Sequence, residues 1–431
     1  MSSELSRRQL MGFGLAGLTT AALTGCSGGS NGSQGASSLR VSWYGGDPVH
    51  AAMANVLALF QTKNAGLKIG QEHAAFADYW NKLATETAAR NAPDVMRMSM
   101  SYFAEYAQRG ALLDLGDVIG KAIKTEGLDP SVAQSGKINN KFFGIGQSSI
   151  SNAVFYDPEL IASLGTTMPE PSWTWDSFAD WAKAIGKGSN GKVYGTADMG
   201  GALQTFEPFA RQNGSDLFAT DGKSMAVGQD LIEHWFDYWA KMRQGKGAPP
   251  ASTTAESTGF ENDPLTKGIT PVTFGYVQQI TFLQPLNKHE LSLMTLPTVP
   301  NGKPGLFVKA LDFWSIASTS KDPAKAAELV NFILTDDQAI KTLGVVLGIP
   351  PQQRAGDLLK PDPKSAAGKA MNYVHTIGDK AGPAPAAWPK GYSQLLTLFT
   401  KTGQDIAFGR SDPAKGAADF YGQSKQILGG Y

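Results

Sequence analysis

The first place where reactive side chains gather is Trp43-Tyr44-Gly45-Gly46-Asp47, directly after an alternating strand. Tyr44 offers an aromatic face, the glycines allow close approach, and the Asp47 carboxylate can accept paired hydroxyl hydrogen bonds. In open α/β sheets ligands sit beyond the carboxyl ends of strands. By that rule Tyr79, beside Trp80 near a helix start, and Ser99 and Ser101, after a strand at 93–98, are further candidates. Two readings of Asp47 stand, ligand acceptor or N-cap of the helix that Pro48 opens, and each aromatic has core packing as its alternative. None of these groups drives covalent chemistry. His50, His73, His234, His289 and His375 lack metal-ligand spacing, and neither H-E-x-x-H nor G-x-S-x-G occurs. Gly12-Phe13-Gly14-Leu15-Ala16-Gly17 fits the dinucleotide pattern, but no strand precedes it, and Gly222-Lys223-Ser224 would end a P-loop only if Leu217 were glycine. No cofactor, no metal and no enzymatic activity are expected.

Composition narrows the ligand. The chain has 431 residues, 42% apolar and only 18% charged, enough to build two or three folded domains. Lys plus Arg equals Asp plus Glu at 38 each, which disfavours nucleic acid and other polyanions. With 9 Trp, 12 Tyr and 21 Phe, a neutral amphipathic ligand fits best. The single cysteine, Cys26, excludes an intramolecular disulfide and cysteine-built metal clusters. It ends Leu23-Thr24-Gly25-Cys26, behind the twin arginine Arg7-Arg8 and a weakly apolar run that is short of the roughly 20 residues of a membrane span. The order reads as an export signal over 1–25, lipidation of Cys26, and a Gly/Ser-rich flexible tether over 26–38. The protein is expected to sit, lipid-anchored, on the outer face of the cytoplasmic membrane.

The elements that position the candidates follow from periodicity. Strands at 39–44, 67–73 and 93–98 alternate with helices carrying Met53, Val56, Leu57 and Phe60, and then Tyr79 and Leu83. This β-α-β-α-β order predicts an α/β lobe with a parallel sheet. Later helices are predicted from Asp176 as cap, over 229–243 with Trp235 and Trp239 in the core, after Asp322-Pro323 to about 334, and after Asp412-Pro413 to 428. The Pro/Gly-rich run 382–389 reads as a loop.

Several segments, in order, resemble the carbohydrate-type extracellular solute-binding proteins (family 1) of ABC importers. They are Ala88-Ala89-Arg90-Asn91-Ala92-Pro93-Asp94-Val95, the hairpin Gly136-Lys137-Ile138-Asn139-Asn140-Lys141-Phe142-Phe143-Gly144-Ile145, Val154-Phe155-Tyr156-Asp157-Pro158-Glu159-Leu160, Trp173-Thr174-Trp175-Asp176-Ser177-Phe178, Leu296-Pro297, Trp314-Ser315-Ile316 and Ser320-Lys321-Asp322-Pro323-Ala324-Lys325-Ala326-Ala327. Asn140 stands where the family usually has glycine, and Thr270 to Tyr276 occupies the place of a small-residue box.

The resemblance implies a two-lobed periplasmic-binding-protein-like α/β fold with a multi-strand hinge and a ligand cleft. The lobes would divide as 39–150 (N-terminal lobe), 151–275 (C-terminal lobe), 276–315 (hinge crossing and return) and 316–431 (helical parts of both). Crossings are expected at 147–152, 276–279 and 308–314. A neutral sugar then asks for aromatic faces and short polar groups. Ser149, Asn152, Tyr276, Gln278 and Gln279 are expected at the hinge, Gln204 and Glu207 in the second lobe, and Asp312, Phe313 and Trp314 at the cleft, with core packing as the alternative for Trp314. The implied partners are a mono-, di- or oligosaccharide and the membrane subunits of an ABC permease, the protein acting as a monomer. The rival readings are an exported glycoside-acting enzyme, with Glu207, Asp312 and Asp47 as its carboxylates, and a ligand-sensing surface protein.

Overall fold

Apolar runs pair into two main sheets in the computed structural model, which describes residues 38–169, 172–378 and 380–429. The signal, the tether and Cys26 lie outside the described residues, except for the tether's last residue, Ser38. In the first sheet Ser38–Tyr44 pairs in parallel with Lys68–Ala74 on one side and Val95–Ser99 on the other. Asp312–Ile316 then joins antiparallel between Val95–Ser99 and Ile145–Gly146. Every residue of Val95–Ser99 and Asp312–Ile316 is buried, because helices cover both faces. One face packs against helices Asp47–Lys63, Pro323–Thr335 and Asp337–Leu343, the other against Phe76–Ala88 and Met100–Gln108.

The second sheet centres on Asn152–Tyr156, flanked antiparallel by Val272–Tyr276 and Ser292–Met294. Its lobe is mainly helical: Trp175–Gly188, Leu203–Gln212, Gln229–Gln244, Ala366–Gly378, Tyr392–Ala407 and Pro413–Gly429. Trp173, Trp175, Trp235 and Trp239 are all buried in its core. The molecule is thus a two-lobed α/β fold.

Two short strands, Ser149–Ile150 and Lys309–Ala310, pair antiparallel where the chain passes between the lobes. Gly146 fits beside them only because it lacks a side chain: a Cβ there would stand 2.5 Å from Val132 Cγ1 and 2.7 Å from the Ala310 Cβ. A further link, 360–365, joins helix Ala355–Leu359 to Ala366–Gly378. The stretch 276–279 does not cross. There the Gln279 side chain accepts the Tyr276 N–H at 2.9 Å and turns the strand end into a 3-10 turn, Val277–Gln279, which stays against helix Ala366–Gly378.

Two helix starts differ from expectation by a residue or two. Gly46 is the N-cap of Asp47–Lys63, so Asp47 lies in the first turn, exposed, where its charge meets the helix dipole. Thr174, not Asp176, caps Trp175–Gly188 through a reciprocal box with Ser177. In the hairpin Lys137–Ile138/Lys141–Phe142, Asn139 and Asn140 both take positive φ, 50° and 64°, a conformation that asparagine tolerates and that explains why glycine is dispensable there.

Burial pushes the Asp263 carboxyl up to about 6, with the Leu265 N–H and Thr273 hydroxyl only partly compensating. Its folded-state pKa lies above the unfolded one, so the folded chain holds more protons and stability falls as pH rises through that window. Asp263→Asn is expected to stabilise the protein by up to about 3 kcal/mol at pH 7.5 and by nothing at pH 3.5. Urea unfolding at the two pH values reads this directly, and an equal effect at both would contradict it.

Candidate functional site

Helix Leu203–Gln212 places Gln204, Glu207 and Arg211 on one face. Pro208 inside it has no N–H to give the carbonyl of Gln204, and that carbonyl instead accepts Asn152 Nδ2 at 3.1 Å. The Asn152 carbonyl in turn accepts the Tyr373 hydroxyl at 2.7 Å. A missing helix bond therefore ties the helix to the strand that enters the second lobe.

Around Glu207 the chain buries polar atoms that lack hydrogen-bond partners. The Lys309 ammonium lies 3.5 Å from Glu207 Oε2, and both side chains are almost wholly enclosed. At that separation neither makes a hydrogen bond, and the Tyr276 hydroxyl and Trp388 Nε1 are likewise buried without a partner among the described residues. The Trp388 ring covers Lys309 Nζ at 4.2 Å and stacks on Tyr392 at 3.8 Å. Burial lowers the Lys309 pKa while Glu207 opposes the shift. Burial, then Glu207, raises Tyr276 well above its ordinary value. Tyr392 is raised by burial, then by Tyr276 and Glu207, with the Gln204 side chain working against the shift. Each unpaired buried group costs about 1–3 kcal/mol unless something arrives to bond it.

The first lobe presents a second cluster. Arg97 donates to Asp312 Oδ2 at 2.8 Å and to the Tyr44 carbonyl at 2.7 Å, and its guanidinium lies 4.3 Å from the centre of the Tyr44 ring. The Tyr44 hydroxyl donates to the other Asp312 oxygen, and the Tyr79 hydroxyl donates to the Arg97 carbonyl at 2.9 Å. Burial, then Asp312, drives the Tyr44 pKa well up. Burial opposes the Arg97 charge, but Asp312 and Tyr44 outweigh it and its pKa rises. These groups satisfy one another except at Arg97 Nε, which is buried without a hydrogen-bond partner among the described residues. Beside them Trp80 stacks on Tyr102 at 4.1 Å, and Phe76, 46% exposed, meets Tyr44 edge-on at 5.0 Å.

The remaining candidates divide. Ser99 caps helix Met100–Gln108 through the Ser101 N–H at 3.4 Å, and Ser149 is buried in the crossing with its N–H on the Ile349 carbonyl at 2.7 Å. Gln278 keeps a buried, unpartnered Oε1, whereas Gln279 is used in the strand-end turn. Phe313 and Trp314 lie in the core on opposite faces of their strand, Phe313 stacked on Phe103 at 4.3 Å and Trp314 packed with helix Pro323–Thr335, because a central strand has no free face. Sequence reasoning passed over Lys309, Trp388, Tyr392 and Arg97. The last carried a signal, a lone charge inside an otherwise apolar buried strand. Among the described residues no three His, Cys, Asp or Glu side chains form a metal-holding group, although His50 and His73 do stack, at 4.0 Å.

Between the lobes a cavity of about 250 Å³ is lined by Gln108, Lys137 and Asn139 from the first lobe and by Asp221, Lys223 and Trp388 from the second. Trp388 is shared, lining this space and shielding Lys309. The arrangement can bind and desolvate a polyhydroxylated molecule, since hydroxyls both donate and accept.

The family model of bacterial extracellular solute-binding proteins matches residues 46–340. An extracellular solute-binding protein family 1 structure from Alicyclobacillus acidocaldarius is 29% identical with a TM-score of 0.73, covering 92% of this chain and 100% of that one. An oligogalacturonide-binding protein from Yersinia enterocolitica, in complex with saturated digalacturonic acid, is 22% identical with a TM-score of 0.76, covering 91% and 98%. A Streptomyces glaucescens receptor, solved unliganded and with acarbose, is 16% identical with a TM-score of 0.74, covering 92% and 99%. No described helix is long and apolar enough to cross a membrane.

Proposed function

Because the chain belongs to the bacterial extracellular solute-binding proteins, we propose that it captures a neutral carbohydrate between its lobes and delivers it to an ABC permease. The observation that carries this reading is the buried group of Glu207 Oε2, the Tyr276 hydroxyl, Lys309 Nζ and Trp388 Nε1, which lack hydrogen-bond partners although Glu207 and Lys309 form an ion pair at 3.5 Å. One carboxylate and one ammonium offset each other there, so an uncharged ligand that both donates and accepts meets the unmet bonds without adding a buried charge. Trp388, which also lines the interlobe cavity, places aromatic surface beside these groups. Solved relatives of the same fold hold digalacturonic acid and acarbose, which supports a saccharide. Binding shifts open lobes toward closed ones when one ligand satisfies contacts on both, and a permease reads the closed form. Export and lipidation at Cys26 would keep the protein beside that permease. The exported location accords with the family, and no catalytic step is assigned to any residue.

A thermal-shift screen against neutral mono-, di- and oligosaccharides, with analysis of every hit for products, tests the reading. A sugar at 100 times its Kd adds about 2.7 kcal/mol of stability. One class that raises the melting temperature and is recovered intact supports capture. Cleaved sugars would move the site to glycoside chemistry, and silence across all classes would overturn the carbohydrate assignment.

A further inference from the structure

A second cavity is larger than the interlobe one. A space of about 650 Å³ opens within the second lobe between the edge strand Ser292–Met294 and helix Ala366–Gly378, under the loop 303–306. Its volume falls in the range of about 300–1,000 Å³ typical of small-molecule sites. The first sheet and its helices contribute nothing to its lining, although Pro363 reaches it from the interlobe link. Tyr156, Leu293, Met294 and Leu306 form apolar walls that pack on the core behind and remain half-exposed toward the space.

The charge of the lining is one-sided. Lys303, Lys369 and Lys380 line the cavity and, among the described residues, no aspartate or glutamate does, in a chain whose 38 basic and 38 acidic residues balance overall. Lys369 is engaged by Glu290 at 2.6 Å, from outside the lining, and by the Leu291 carbonyl. The Lys303 and Lys380 side chains are exposed and have no hydrogen-bond or ion-pair partner among the described residues. Lysine stems lie along apolar surface while their ammonium groups reach outward. An apolar trough with two uncommitted ammonium groups suits a ligand with an apolar body and an anionic head, the opposite of the charge-balanced polar nest around Glu207.

We propose that this cavity is a second ligand site, for a small amphipathic anion whose body lies on Leu293, Met294 and Leu306 and whose carboxylate, sulfonate or phosphate meets Lys303 and Lys380. It stands independently of carbohydrate capture, because neither Glu207, Tyr276 nor Lys309 lines it.

The full chain is titrated with 8-anilinonaphthalene-1-sulfonate, followed by its fluorescence, and the bound dye is then competed with decanoate, decyl phosphate and decanol. One saturable site is expected, displaced by the two anions at least tenfold more effectively than by decanol. The double variant Lys303→Glu/Lys380→Glu, at exposed positions, should weaken dye binding at least tenfold. Thr376→Trp, on the exposed helix wall, should block it by filling the space, with both variants melting like the parent protein. Decanoate and decyl phosphate differing from each other would tell carboxylate from phosphate preference within the proposal. No saturable signal, equal displacement by decanol, or undiminished dye binding in the lysine variant would overturn it.

Discussion

Asp312→Ala is expected to lower the free energy of unfolding by about 3–5 kcal/mol at pH 7. The Arg97–Asp312 pair is almost fully enclosed, 8% and 11% exposed at the side chains, and the Tyr44 hydroxyl leans on the same carboxylate. Removing the acid leaves a guanidinium buried against Tyr44 with nothing to neutralise it and an orphaned tyrosine hydroxyl. Removing both charges together leaves no such debt, so Arg97→Met/Asp312→Leu should regain most of the loss. Urea midpoints for the four members of the cycle measure this. A loss below about 1 kcal/mol for Asp312→Ala would mean that the pair carries little of the first lobe's stability.

Tyr276→Phe should do the reverse to stability and the greater harm to binding. Its hydroxyl is buried beside Glu207 without a partner, so deleting it costs no internal hydrogen bond and is expected to leave stability unchanged or raise it by up to about 1 kcal/mol. If the hydroxyl awaits a ligand, the same change should weaken sugar affinity about tenfold, the worth of one hydrogen bond of roughly 1.4 kcal/mol. A fluorescence titration set beside a melting curve separates the two. A variant that loses stability while its sugar affinity holds would show that the residue supports the fold and not the site.

The contrast between those two residues explains what was legible in the sequence. Strands such as Val95–Ser99 and helix starts such as Asp322-Pro323 declare themselves locally, through apolar runs and capping chemistry, and the structure reproduces them within a residue or two. Tyr276 is a candidate from the expected hinge and Glu207 from the second lobe, and they do come together. Their companions were not visible. Lys309 arrives from one distant stretch and Trp388 with Tyr392 from another, and only the paired crossing strands and a proline-rich loop bring them beside Glu207. Phe313 and Trp314 failed as candidates for a related reason: they resemble cleft aromatics, yet a strand hydrogen-bonded on both edges and covered on both faces spends its side chains on two cores. Gln279 was nominated for its amide, and the turn at the end of Val272–Tyr276 takes that amide first.

Calorimetric titration of the protein with the sugar class that gives the largest thermal shift tests capture at the Glu207 nest most directly, when repeated on Glu207→Gln. One site per chain is predicted, with affinity reduced tenfold or more in the variant, since a hydrogen bond to a charged group contributes about 1.5–3 kcal/mol. Binding of equal strength in the variant, or heat that never saturates at one equivalent, would place the ligand elsewhere and contradict the account.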